Sequence, residues 1–118
     1  MDKTTIYEML YPTIDSVATD KVILMKKDGV LYLLSTSSSL FDIDYSSNST
    51  TVDIKTSNGA RTIQLKKEIT EKSDYLTPIN KNKRFPVCFI IPPENVPSNG
   101  FLQIRSKGTI YSFDLDKE

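Results

Sequence analysis

The sequence predicts an all-β protein, an antiparallel β-sandwich of about seven or eight strands built from hairpins. Turn dipeptides sit between apolar runs at Asp28-Gly29, Asn58-Gly59 and, more weakly, Lys107-Gly108. Around them apolar and polar residues alternate with the period of a strand. A proline-bearing step, with Pro92, Pro93 and Pro97, separates the most apolar run from the last hairpin. The chain has 118 residues, enough for one domain spanning 1–118 and too few for two comfortable ones.

Taken in order, "TIYEMLYPTIDSVAT" reads as a short helix or an edge strand. In "VILMKKDGVLYLLS" a two-residue turn at Asp28-Gly29 pairs Lys27 with Val30, Met25 with Tyr32, Leu24 with Leu33 and Ile23 with Leu34. Both faces of that hairpin are apolar, which places it near the centre of the domain. "LFDIDY" alternates Phe41, Ile43 and Tyr45 against Asp42 and Asp44, a half-buried strand. In "TVDIKTSNGARTIQLKK" the same arithmetic about Asn58-Gly59 pairs Ile54 with Ile63 and Val52 with Leu65. Here one face is apolar and the other polar, as in an outer hairpin with a wet side. "KKEITEKSDYLTPINKNK" is polar, carries Pro78, and reads as a long loop with at most one helical turn. Residues Arg84 to Ile91 form a buried strand, ended by prolines that cannot donate to a ladder. Those prolines are expected to carry the chain across between two facing sheets. The last hairpin, about Lys107-Gly108, pairs Ile104 with Tyr111 and Leu102 with Phe113.

Composition removes several kinds of chemistry. Fifteen basic residues balance fifteen acidic ones, so bulk charge gives no attraction to nucleic acid or an anionic membrane. The basic residues that do cluster, Lys66-Lys67 and Lys81, Lys83 and Arg84, read as solvated loop and strand-end charges. The absence of histidine eliminates Ser-His-Asp and Cys-His machinery and any His-containing zinc site. Cys88 is the single cysteine; it makes no intrachain disulfide and reads as a small buried hydrophobe. No apolar run approaches the ~18 residues of a membrane span, and the start lacks the apolar core of a signal peptide. As written the chain is expected in the cytoplasm, or at a cell surface or secreted if a targeting segment has been removed.

The stretch "DYLTPINKNKRFPVCFIIPPENVPSNGFLQIRSKGTIYSFDL" resembles the C-terminal half of bacterial Ig-like accessory domains of surface lipoproteins. The features that carry the likeness are Leu76 and Pro78, Phe89 with Pro92, then Leu102, Ile104, Tyr111 and Phe113. Ile79 stands where a glycine is usual after the loop proline. The resemblance implies an Ig-like form of the sandwich and a role in binding or spacing, with no shared catalytic residues.

Candidate sites are few. Asp42 and Asp44 share one face of a strand and, with oxygens from Ser46 to Thr50, could hold calcium. The simpler reading is the wet face of an alternating strand, since no glycine-bearing calcium loop follows. Asn48-Ser49-Thr50 matches a glycosylation sequon, and without a signal peptide chance occurrence is the better reading. Glu68/Glu71 or Asp42/Asp44 could supply an acid–base pair, but neither pair has substrate-binding residues around it. Tyr7, Tyr11 and Tyr75 lie in the unassigned segments and are the candidates for an exposed partner contact.

The expectation is a non-enzymatic protein-interaction module acting through an edge strand or loops, without a cofactor. The alternative is a structural subunit of a larger assembly, such as a phage, virion or secretion machine. A small carboxylate-dependent enzyme ranks third.

Overall fold

The computed structural model describes residues 4–7, 21–67, 85 and 87–116. Among these, nine strands form one sheet: β1 (Thr4–Tyr7), β2 (Val22–Lys27), β3 (Val30–Ser35), β4 (Ile43–Asp44), β5 (Ser49–Thr56), β6 (Gly59–Lys67), β7 (Val87–Ile91), β8 (Phe101–Ser106) and β9 (Thr109–Asp114). All pairings are antiparallel, in the order β1-β2-β3-β7-β6-β5-β8-β9. The two-residue β4 pairs with the first part of β5, and β8 takes the remainder of that same strand.

The eight-strand path bends round until its two ends face a common interior. Tyr7 from β1 and Tyr111 and Phe113 from β9 belong to one buried cluster with residues of β2, β3, β5, β6, β7 and β8. The result is a nearly closed, barrel-like sheet, where the sequence led us to expect two facing sheets. Strands β5, β6 and β7 form a meander; β3 returns beside β7 and β8 beside β5, so two Greek keys share it. Among the described residues the contact of β6 with β7 is narrow, Lys66↔Ile90 and Lys67↔Phe89.

The turns explain the registers. Asp28 and Gly29 have φ of +52° and +81°, the two positive values a mirror-image two-residue turn requires. Lys107 and Gly108 do the same at +51° and +79°. Both hairpins have the expected pairings, including Leu24↔Leu33 and Ile104↔Tyr111. The middle hairpin differs. Only Gly59 takes a positive φ, +121°; Ser57 and Asn58 make the turn and Gly59 opens β6. Val52 therefore pairs with Ile63 and Ile54 with Arg61, a register two residues from the expected one. A slip of two preserves faces, so the wet side is where the pattern put it.

Packing follows from these registers. The hairpin β2–β3 and strand β7 are buried on both faces. Leu24, Leu33 and Phe89 point inward, while Met25, Leu34 and Cys88 join Ile23 and Phe85 in a second cluster on the outer side. Each fully buried side chain of this size stabilises the fold by roughly 1.5–3 kcal/mol. In contrast, β5 alternates buried and exposed residues from Thr50 to Thr56.

Prolines do stop β7 after Ile91. Pro93–Asn95 forms a 3-10 turn, with Asn95 N–H donating to Pro92 O at 3.1 Å and Val96 N–H to Pro93 O at 3.2 Å. The chain then runs beneath β6 and β5 to β8, and Arg61 Nη1 donates to Asn95 Oδ1 at 2.9 Å on the way. The crossing thus spans one end of a single sheet instead of joining two.

Candidate binding site

Strand directions place the Asp28–Gly29 turn, the Ser57–Asn58 turn, the proline crossing and the end of β9 at one end of the barrel, here the lower end. There β2 presents Lys26 at an inward position, opposite Leu31 in the register. The crossing is tied to the C-terminal end: Leu115 N–H donates to Gly100 O at 2.7 Å, and Gly100 N–H to Asp116 Oδ1 at 3.0 Å. Between the crossing and the β2–β3 hairpin lies a cleft of about 230 Å³. Its lining includes Leu31, Ile91, Val96, Pro97 and Leu115, with Tyr7 and Lys26. Mouths of β-barrels are common ligand positions.

A second, shallower depression lies on the outer face of β6–β5–β8–β9. The registers set Thr62, Asp53, Arg105 and Ile110 in one row across it, with Lys55 and Gln103 opposite each other in the next. Thr62 Oγ1 donates to Asp53 Oδ1 at 2.6 Å. Ile110 is 52% exposed and Phe101 36%, so two large apolar groups stand on an otherwise polar face.

The sequence candidates fall as follows. Tyr7 sits in the edge strand β1, but its side chain is buried in the interior, 8% exposed, instead of presenting an outside contact. Tyr11 and Tyr75 lie outside the described residues, as do Glu68, Glu71, Lys81, Lys83 and Arg84. Among the described residues the most exposed large hydrophobic side chain is Tyr45, at 67%, with Lys67 Nζ 5.8 Å from its ring centroid. The alternation in "LFDIDY" put Tyr45 inward; only Ile43–Asp44 is strand, and the chain turns immediately after.

Asp42 and Asp44 are both exposed. Asp44 Oδ1 accepts from Ser46 Oγ at 2.6 Å and Ser46 N–H at 3.0 Å, and these bonds hold its carboxyl below the usual carboxylate range. The carboxylate is therefore occupied in shaping a turn. Among the described residues no three acidic, histidine or cysteine side chains cluster as a metal site. Asn48 takes φ +51° in the turn, and Ser49 Oγ accepts from Gln64 Nε2 at 2.8 Å. Cys88 is buried.

Sequence reasoning missed Lys26, Phe101 and Ile110. Lys26 reads as a strand-end charge, and only its inward position in the β2–β3 register marks it. What the described residues define together is an antiparallel Greek-key, barrel-like sheet that runs from β1 to β9, with an apolar mouth. No family model matches the chain, and neither does any curated protein sequence or solved structure.

Proposed function

We propose that the protein is a non-enzymatic interaction module that takes a protein partner by strand addition at β9. The observation that carries this reading is the edge itself. Thr109–Asp114 has no strand on its outer side among the described residues, and it contains neither proline nor lysine. Such an edge lacks two of the usual devices that discourage pairing. Exposed Ile110, with Phe101 on the neighbouring strand, adds apolar surface beside that edge. Main-chain hydrogen bonds would supply affinity and alternate side chains specificity.

The immunoglobulin-like reading belongs to the same proposal. It treats β1–β2–β3–β7 and β6–β5–β8–β9 as two sheets joined where β6 meets β7, and the narrowness of that contact and the two Greek keys support it.

The test is the native mass of the protein in lysate of its source, with hydrogen exchange on the isolated complex. The expected result is a complex in which the β9 amides are protected, and which Ile110→Lys dissolves without unfolding the domain. A chain that migrates alone, or a complex that leaves β9 unprotected, would overturn the reading. The assembly-subunit alternative rests on a second observation, that β1 also ends the sheet among the described residues. Pairing β1 of one copy with β9 of the next gives head-to-tail growth, read as multiples of 13.4 kDa.

A further inference from the structure

We infer that the cleft at the lower mouth is a binding site for a small aliphatic carboxylate, with its apolar body between the crossing and the β2–β3 hairpin and its carboxylate at Lys26. The inference does not rest on strand addition at the β9 edge: the cleft draws its walls from β1, β2, β3, β7, the crossing and Leu115 just past β9, and no residue of Thr109–Asp114 lines it.

Size comes first. A cavity of about 150 Å³ lined by aliphatic and aromatic side chains holds benzene. At about 230 Å³ the mouth cleft has room for a larger apolar body, roughly eight or nine non-hydrogen atoms on the same scale. Leu31, Ile91, Val96, Pro97 and Leu115 give that body an aliphatic environment that a polar ligand would not match.

Charge comes second. Lys26 is the one charged side chain among the described lining residues, and no carboxylate of those residues lines the cleft beside it. Lys26 is exposed at an inward place in the register, which suits an aliphatic stem laid along the wall with the ammonium in water at the rim. No hydrogen bond or ion pair engages it among the described residues. An apolar pocket with a single cation at its lip selects an amphipathic anion over a neutral or cationic molecule of the same size. The backbone at Gly29 and the Ser98 hydroxyl border the cleft as well, and offer polar contacts at the rim.

The probe is sodium octanoate titrated into the ¹⁵N-labelled protein, with 1-octanol as the uncharged comparison. Saturable amide shifts at Leu31, Ile91, Val96 and Leu115 are expected, with octanol about fivefold weaker. Lys26→Gln should weaken octanoate by the same factor and leave octanol unchanged. Val96→Trp fills the cleft and should abolish both, its amide spectrum reporting whether the fold persists. Absence of saturable shifts in the unmodified protein at millimolar octanoate would overturn the site. Shifts confined to the outer-face depression would do the same. Equal binding of octanol and octanoate, or an indifferent Lys26→Gln, would overturn the assignment of a carboxylate ligand.

Discussion

The two ends of the barrel are finished differently. At the upper end the chain between β3 and β4 drops Phe41 into the interior, where its ring meets Phe89 edge-on at 5.3 Å and stacks on Tyr111 at 5.9 Å. Lys107 Nζ then fastens the Ser38–Leu40 turn from outside by donating to Ser39 O at 2.9 Å. At the lower end the crossing has prolines at Pro92, Pro93 and Pro97 and no aromatic until Phe101, so the crossing itself sends no ring inward and a cleft remains there, with Tyr7 in its wall. An aromatic plug makes one end part of the core, while a stiff, aromatic-free strap leaves the other end available to something else.

The largest test of that contrast is Phe41→Ala. Removing a 3%-exposed ring with two aromatic neighbours should cost about 3–5 kcal/mol, measured by urea unfolding. Val96→Ala at the lower end should cost much less, because Val96 is half-buried and already borders open volume. Equal costs would mean that the ring does not seal the upper end.

A smaller test separates the two lower hairpin turns. Gly59→Ala should cost about 1–3 kcal/mol, although an added Cβ would meet nothing within 4 Å, because φ of +121° is strained for any L side chain. Asn58→Ala should stay within about 0.5 kcal/mol, since Asn58 is not at positive φ. Asp28→Ala, at φ +52°, should cost about 1 kcal/mol. If Asn58→Ala were as costly as Asp28→Ala, the two turns would be alike and the register of β5–β6 would need revision.

These turns also show what the sequence could reveal. Pairing within a hairpin is local, so Asp28-Gly29 and Lys107-Gly108 gave their registers by counting alone. Asn58-Gly59 misled because one dipeptide serves two turn geometries, and its choice is settled by which residue takes positive φ. Barrel closure was not legible. It depends on β3 meeting β7 and β5 meeting β8, pairings between residues such as Leu33↔Phe89 and Ile54↔Ile104 that no local pattern encodes. The cleft was illegible for the same reason, since Lys26 and Val96 come together only through that closure. The buried outer face of β2–β3 was visible as apolar residues on both sides of the hairpin, whereas the identity of β9 as a terminal strand was not.

The smallest expected effect lies at the upper end, in the turn after β4. The Ser46 hydroxyl, then its backbone N–H, stabilise the charged Asp44 carboxylate and lower its pKa. A depressed folded-state pKa adds stability that is fully present above the unfolded pKa and fades as pH falls through the folded one. Neutral pH should therefore leave this turn untouched, with loss confined to the acid side of the usual carboxylate range. Asp44 is exposed, so the change belongs in a titration of its own carboxyl by carbon NMR, not in a melting curve. Asp44 should titrate at lower pH in the folded protein than in the urea-unfolded chain, and Ser46→Ala should close most of that gap. An Asp44 that titrates alike in both states would break the turn's polar bonds as an account of how the upper end is finished outside Phe41. If only the Ser46→Ala shift failed, the Ser46 backbone N–H and the Ser47 groups would be holding the carboxylate.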